Sequence, residues 1–275
     1  MNHQVSMAMI LTLTISSQGC SKPHNIIIPP TSAPVTTVVK TPEQFRWKLG
    51  SKLHVTSYQI DDSSVVSVST DTTRKEVPFV STSIYGLSIT PGNPPGIRLH
   101  IDSTANGDQA LDLTATVSPQ GQITNLQTAQ SSSCKGGISP RFVRLFDLLA
   151  SSPSTPIGIG DYWTDTSTVV VCHGKTPLRQ QIIHSYTLVR QSSWQERHAL
   201  EIHRTTQIEI DGLQQDSQNP VTAKGSGTGL GTLLIDPETG LVLQSDGTSD
   251  LSLSVITSRG IFPFRQHGVT RIIAK

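Results

Sequence analysis

The residues with the most suggestive spacing are four glycines at alternate positions in the segment GSGTGLG: Gly225, Gly227, Gly229 and Gly231. Glycine-rich loops can bind phosphate through backbone N–H groups, but that use needs a Lys-Ser or Lys-Thr pair and a following helix. Here the apolar segment TLLI follows instead, so the sequence does not favour nucleotide binding. Alternate spacing places the glycines on one face of a strand, where missing side chains leave room for packed aromatic rings or for a ligand.

Cysteines and histidines are the other side chains that could bind metal or react. Cys134 and Cys172 can form a disulfide in an oxidising compartment, and two separate free thiols are the alternative. His198 and His203 lie on one predicted strand at an odd offset, so their side chains point to opposite faces and cannot chelate together. The chain also has no HExxH motif. We therefore predict no metal ion and no other cofactor.

No arrangement of residues in the sequence indicates catalysis. A serine nucleophile of the GxSxG type is absent. Many acidic residues fall in predicted turns (Asp61, Asp62, Asp236, Glu238 and Asp246), where they form no recognisable pair for acid–base chemistry. We predict that the protein is not an enzyme and has no catalytic residue, and a hydrolase is the less favoured alternative.

Composition narrows the range of partners. Charged residues make up 15% of the chain, and the formal net charge is +1. Without a basic stripe, nucleic acid is not an expected partner. Ser, Thr, Gln and Gly are abundant instead, which is typical of β-rich exported proteins whose exposed strand faces carry Thr and Ser. No uncharged apolar run reaches the roughly 18 residues of a membrane-spanning helix.

The N-terminus indicates export. Met7–Ile15 is an apolar segment of signal-peptide length, and it is soon followed by Gly19 and Cys20. A small residue before a cysteine at this place resembles the bacterial lipobox, which implies that Cys20 carries palmitate-like acyl chains and becomes the mature N-terminus. Ser21 then implies sorting to the outer membrane, facing the periplasm. The alternative is an ordinary signal peptide cut near Gly19, which would leave a secreted or periplasmic soluble protein.

The chain divides into five segments on this basis. Five prolines among Thr, Ser and Val follow Cys20 and predict a flexible tether with little capacity to form a core. The segments are a signal peptide at 1–19, a lipidated cysteine and tether at 20–42, a first β half at 43–138, a connecting helix at 139–152 and a second β half at 153–275.

Alternating apolar and polar residues predict strands on both sides of one helix. In the first half the predicted strands are Lys52–Ile60, Val65–Val68, Ile97–Ile101, Ala110–Val117 and Gln122–Leu126. In the second half they are Trp163–Cys172, Gln181–Arg190, His198–Ile210, Ser226–Ile235, Leu241–Ser245, Leu251–Ile256 and Val269–Ile273. The predicted helix is Ser139–Ala150, with Ser139 as its cap, Pro140 at its first position and one apolar face made of Phe142, Leu145, Phe146 and Leu149.

The second half carries a further resemblance. Pro156–Trp163 (PIGIGDYW), the glycine-rich strand and the hairpin segment Asp236–Gly240 (DPETG) together resemble exported bacterial β domains of unknown function. More distantly, the chain resembles the curled-sheet or half-barrel lipoproteins and the periplasmic lipoprotein carriers. That resemblance implies a strongly bent antiparallel sheet with a helix in its mouth and a capacity to hold acyl chains. No catalytic residue carries over from it.

We therefore expect a mainly β protein: a curled antiparallel sheet or half-barrel, either continuous or built from two related β halves, with one helix on its concave side. The expected function is that of a non-catalytic lipoprotein, anchored to the membrane by its N-terminal lipid, that binds a lipophilic ligand or an envelope protein. A structural or assembly lipoprotein acting through strand edges is the alternative. The predicted ligand-facing residues are Phe142, Phe146, Leu149, Trp163, Tyr186, Leu188, Gly227, Gly229 and Leu230.

Overall fold

Eleven antiparallel strands form one sheet that curves nearly into a barrel, which confirms the predicted fold class. The computed structural model describes residues 43–50, 52–69, 74–102, 110–118, 122–128, 134, 137–173, 176–214, 221–258 and 260–275. Cys20 and the tether at 20–42 lie outside the described residues. The strands are β1 (His54–Ser69), β2 (Arg74–Thr90), β3 (Gly96–Ile101), β4 (Leu111–Val117), β5 (Ile123–Thr128), β6 (Tyr162–His173), β7 (Thr176–Trp194), β8 (Arg197–Gln214), β9 (Val221–Ile235), β10 (Val242–Thr257) and β11 (Gly260–Ala274).

The strands follow one another around the sheet in the order β5-β4-β3-β2-β1-β11-β10-β9-β8-β7-β6. All neighbours except β1 and β11 are consecutive in the sequence, and β1 pairs with β11 with Tyr58 opposite Ala274. The two predicted β halves therefore share a single sheet that joins at this pair. The edge strands are β5 and β6.

Side-chain alternation gives the sheet a mainly apolar concave face and a mainly polar convex face, although large apolar side chains such as Val65, Leu230 and Val269 are exposed on the convex face. On β8, Ile202 and Ile210 are buried on the concave side, whereas His203, Gln207 and Glu209 are exposed on the convex side. Successive side chains of a strand point to opposite faces, so one face of each long strand can enter the core while the other remains solvated.

β1 is longer than the sequence pattern predicted, because Lys52–Ile60 and Val65–Val68 belong to one strand. The prediction that Asp61 and Asp62 lie in a turn was wrong, since both are in the middle of β1. The Asp62 side chain points to the concave face, where Arg144 pairs with it. An acidic residue is stable inside a strand when a partner compensates its partly buried charge.

β10 also joins two predicted strands, Leu241–Ser245 and Leu251–Ile256. The polar residues between them were interpreted as a turn, and that interpretation was wrong for Asp246. In the structure Asp246 is exposed on the convex face, while Gly247 lies directly opposite Gly231 of β9. The strand therefore continues because its polar side chains alternate toward solvent.

β2 is a strand that the sequence pattern did not predict. It contains Pro78, which cannot donate a backbone hydrogen bond and so argues against a central strand. The neighbouring β3 pairs only with Tyr85–Thr90, so the part of β2 that contains Pro78 forms an edge of the sheet locally. A missing N–H group is tolerated there.

The helix, α1, is shorter than Ser139–Ala150. It runs as a 3₁₀ helix over Pro140–Arg144 and as an α-helix over Leu145–Leu148. Ser139 does precede it, but its side chain makes no capping hydrogen bond, contrary to prediction. Within the described part of the chain, no helix is long and apolar enough to cross a membrane.

Candidate functional site

α1 covers one end of the concave face and anchors it. Phe142, Leu145 and Leu148 are almost fully buried, in a cluster that includes Tyr58 of β1 and Leu99 of β3. Burial of such a side chain stabilises the fold by roughly 1.5–3 kcal/mol. This end of the curled sheet is therefore filled by side chains.

Three aromatic rings complete the filled end. Trp163 stacks on Tyr186 with ring centroids 5.1 Å apart, and Trp47 meets Trp163 edge-on at 5.7 Å. The Trp47 Nε1 group donates to the Ala150 carbonyl oxygen at 3.2 Å, which satisfies its polar atom in the core. Tyr186 and Leu188 are fully buried in the same cluster, so the prediction that Trp163, Tyr186 and Leu188 face an open cavity was wrong.

The other predicted ligand-facing residues divide between core, cavity and surface. Phe142, Phe146 and Leu149 are all buried in the core, and Phe146 also lines a cavity between α1 and the sheet. Gly229 lines that cavity as well. Leu230 also borders that cavity, but its position in β9 directs its side chain to the convex face, where it is 65% exposed.

The alternate glycines of β9 lie on the concave face, as their spacing predicted. A Cβ atom at Gly225 or Gly227 would lie within 3.0 Å of the backbone of β10 and of the Leu253 or Leu251 side chain. The missing side chains therefore let β10 and its leucines approach β9 closely where the sheet bends, and the expected aromatic ring is not what fills this space. Around Gly229 there is less crowding, and the cavity opens there.

The polar cavity, as we call it, has a volume of about 140 Å³ and lies between α1 and the concave face. It combines apolar walls with charged, imidazole and hydroxyl groups from α1 and from strands β7 to β11. Its main polar side chains are Arg144, Asp147, His184, Arg204, Thr206 and Thr270.

Two arginines and two aspartates form a charge network beside this cavity. Arg204 Nη2 lies 2.9 Å from Asp147 Oδ1, and Arg144 Nη1 lies 3.0 Å from Asp147 Oδ2. The other Arg144 nitrogen, Nη2, is 2.6 Å from Asp62 Oδ1, to which the Thr270 hydroxyl also donates at 2.6 Å. The network ties α1 to β1, β8 and β11, and its formal charges cancel.

Burial and pairing compete in setting the ionisation of this network. Burial alone would raise the pKa of Asp147, but the Arg204 and Arg144 guanidinium groups outweigh it and hold that pKa below its ordinary value. Burial alone would lower the pKa of Arg144, but Asp147 and Asp62 outweigh it and raise that pKa. Asp147 and Arg144 are therefore both charged at neutral pH, as paired groups in a protein interior usually are.

His184 is a titratable group of the cavity that is uncharged at neutral pH. It is 4% exposed, and burial together with the neighbouring Arg204 lowers its pKa to about 4. Its Nδ1 atom hydrogen-bonds to the Thr206 hydroxyl at 3.0 Å. Its Nε2 atom has no hydrogen-bond partner among the described residues.

The Thr206–His184 pair differs in two ways from a usual nucleophile and its general base. A nucleophile and its base are normally oriented by a third group, but in the Thr206–His184 pair the remaining imidazole nitrogen is unpartnered. A general base also works best with a pKa near the operating pH, whereas that of His184 is about 4. No cluster of three or more His, Cys, Asp or Glu side chains in the described ranges could hold a metal ion.

The open end of the concave face forms an apolar trough of about 420 Å³. This volume lies within the range of small-molecule sites, roughly 300–1,000 Å³. Most of its apolar side chains are only half-buried, so they are open to an additional molecule. The apolar trough is lined by Val66, Leu178, Val221, Ala223, Leu251, Leu253, Val255 and Phe264.

The sheet closes through contacts beside its edge strands rather than through a continuous ladder. Cys134, in the segment after β5, forms a disulfide with Cys172 of β6. Next to it, the Ile138 N–H group donates to the Val170 carbonyl oxygen at 2.9 Å, and the Cys172 N–H group donates to the Ile138 carbonyl oxygen at 2.9 Å. The curl that forms the two cavities is thus covalently fixed near the β6 edge.

Sequence reasoning missed the charge network, although the sequence contains a signal for it. Leu200, Ile202, Ile208 and Ile210 alternate along β8 and share one face, and Arg204 has the same parity. A charged residue on an otherwise apolar strand face indicates a buried partner. His184 gives the same signal on β7, because it alternates with Ile182 and Tyr186.

Comparison with known proteins assigns no family. No family model matches the chain, and no curated protein matches it. Among solved structures, the crystal structure of Pseudomonas aeruginosa OccK2 (OpdF) is matched with a TM-score of 0.28 and 9% sequence identity, over 83% of this chain and 99% of that chain. A TM-score this low does not establish a shared fold.

Proposed function

We propose that the protein is a non-catalytic, lipid-anchored envelope lipoprotein that binds a lipophilic molecule in the apolar trough. The observation that carries this proposal is the trough itself, an accessible apolar concavity of about 420 Å³ on the concave face of the sheet. Soluble domains rarely leave a contiguous apolar surface open unless it binds something.

The position of the trough supports a binding role rather than incomplete packing. α1 fills only one end of the sheet, while β7, β8, β10 and β11 continue beyond it. The concave side chains of that continuation remain apolar, including Leu253, Val255 and Phe264. Residues with no partner to cover them would be more favourable as polar side chains.

The alternative role through strand edges has weaker support. The Ile138 segment occupies part of the outer edge of β6, and the disulfide fixes it there. β5 is six residues long, and short edge strands are a common way to avoid pairing with another chain. We therefore favour the trough over the edges as the binding surface.

A blocking substitution tests the binding proposal. Gln266 lines the trough and is exposed, whereas the adjacent Arg265 points to the convex face and is also exposed. The full chain is titrated with the fluorescent probe N-phenylnaphthylamine. We expect Gln266→Trp to weaken binding roughly tenfold or more, equivalent to about 1.4 kcal/mol, and Arg265→Trp to leave it unchanged. No binding to the unsubstituted chain, or equal effects of both substitutions, would refute the proposal.

Lipid anchoring is tested separately on Cys20. Cells that express the full chain are labelled with palmitate, and the protein is recovered from the membrane fraction. We expect label on the unsubstituted chain and none on Cys20→Ser. An unlabelled protein of unchanged mass would refute the anchor without affecting the trough.

A further inference from the structure

The polar cavity and the apolar trough follow each other along one concave face. Ser249 of β10 borders the polar cavity, and Leu251, two residues further on the same face, borders the trough. Ile208 of β8 also lines the polar cavity, and it pairs with Gly227, which in turn lies opposite Leu251. A molecule lying along the strands would therefore meet polar groups at one end and apolar side chains at the other.

The polar end contains an unsatisfied buried group. His184 is more than nine-tenths buried, lines the polar cavity and has an unpartnered Nε2 atom within the described structure. A buried polar atom without a hydrogen bond is unfavourable, so such an atom in a cavity wall indicates a ligand group. A hydroxyl can both donate and accept, so it can pair with Nε2 in either tautomer of the imidazole.

The charges around the cavity select against an ionic ligand. Arg144 and Arg204 are matched by Asp62 and Asp147, and His184 is uncharged at neutral pH. A carboxylate, phosphate or ammonium group placed there would add a charge with no free counter-ion, which is strongly unfavourable in a poorly solvated site. An uncharged polar group carries no such penalty.

We infer that the polar cavity holds the hydroxyl-bearing head group of an uncharged single-chain amphiphile, such as a monoacylglycerol, whose acyl chain lies in the apolar trough. This inference rests on the proposed function, because it names the ligand class of the same site. The head-group hydroxyl pairs with His184 Nε2, and the chain runs past Ile208 toward Leu253.

The inference is tested with four probes of equal chain length and different head groups. Monolauroylglycerol, lauric acid and lauryltrimethylammonium, each below its micelle-forming concentration, and dodecane, below its solubility limit, compete with N-phenylnaphthylamine for the full chain. We expect monolauroylglycerol to bind roughly tenfold or more tightly than the two ionic probes, since burial of an unpaired charge is unfavourable. It should also bind more tightly than dodecane.

Substitution of the imidazole tests the contact itself. His184→Phe keeps the aromatic shape and removes the polar atoms, and His203→Phe on the convex face of β8 is the matched control. We expect His184→Phe to weaken monolauroylglycerol binding roughly five- to tenfold, which corresponds to one hydrogen bond. Dodecane binding should stay unchanged, and the control should affect neither probe.

The outcomes distinguish the inference from the function on which it rests. Equal binding of lauric acid and monolauroylglycerol would overturn the inference while leaving the trough as a lipid site. Equal loss of dodecane and monolauroylglycerol binding in His184→Phe would overturn the imidazole contact. Failure of all four probes to displace the fluorophore would refute the proposed function. The head-group comparison uses the unsubstituted chain, so it does not depend on the folding of a variant.

Discussion

Removal of Arg204 from the charge network should destabilise the fold in a measurable and specific way. Arg204 and Asp147 have 11% and 18% side-chain exposure and lie 2.9 Å apart, so solvent screens the pair only weakly. Breaking a buried pair typically costs about 3–5 kcal/mol. Because Asp147 retains Arg144 as a second partner, we expect Arg204→Met to cost about 2–3 kcal/mol.

The assay is equilibrium unfolding in urea, followed by the fluorescence of the tryptophans in the filled end of the sheet. In a thermal unfolding experiment, a loss of 3 kcal/mol in the free energy of unfolding would lower the Tm of a folded unit of this size by about 6–12 °C. Asp147→Leu should cost more, about 3–5 kcal/mol, because it leaves two guanidinium groups with one carboxylate. The double variant should lose less than the sum by about 1–2 kcal/mol, since the two side chains interact directly.

The exposed pair of Arg271 and Asp246 on the convex face provides the control. The two side chains are 56% and 54% exposed, so Arg271→Met should cost less than about 1 kcal/mol. If Arg204→Met cost no more than this control, or if the double variant were simply additive, the network would not be the buried clamp that holds α1 over the sheet.

Three further predictions concern pH, the disulfide and a strained turn. The imidazole of His184 has a pKa of about 4 in the folded chain and about 6.5 in the unfolded chain. As the pH falls, the unfolded chain therefore binds a proton first. The contribution of the neutral imidazole to the free energy of unfolding is complete above pH 6.5 and is lost as the pH falls toward 4. Between pH 7.5 and pH 5 the unsubstituted chain should thus lose about 2 kcal/mol more unfolding free energy in urea than His184→Gln, and equal losses would contradict the pKa assignment. Cys134→Ala combined with Cys172→Ala opens a loop with a sequence separation of 38, which should lower the urea-unfolding free energy by about 4 kcal/mol; an unchanged value would mean that the bond does not form in the cell. Gly240 has φ +71° and no room for a Cβ beside an indole ring, whereas Gly160 has φ +93° and open space. Calorimetry should therefore show a loss of about 3 kcal/mol for Gly240→Ala and about 1 kcal/mol for Gly160→Ala, and similar losses would argue against the close contact.

Side-chain alternation was sufficient to predict most strands of the sheet, although not β2, because it directly reports which face of a strand is buried. The second-half strands were found for this reason, as was the helix whose Phe142 and Phe146 enter the core. The same rule failed where polar residues continue a strand. Asp62 looked like a turn residue because its partner, Arg144, lies 82 positions away along the chain.

The position of the cavity could not be predicted, because it depends on which end of the concave face α1 covers. Trp163 and Tyr186 have large apolar side chains, and such side chains are equally suited to a cavity wall and to a filled core. Trp47 determines the outcome here by packing against Trp163 from a segment outside the strands. Such long-range packing leaves no local pattern in the sequence.

The most direct test of lipid binding in the concavity uses the parity of β10. Cells that express the full chain are grown with a fatty acid that carries a photoreactive chain, irradiated, and the protein is digested for tandem mass spectrometry. The concave residues Leu251, Leu253 and Val255 should carry the crosslinked lipid, and their convex neighbours Ser252, Ser254 and Ile256 should not. Crosslinks on the convex residues, or equal labelling of both sets, would contradict lipid binding in the apolar trough.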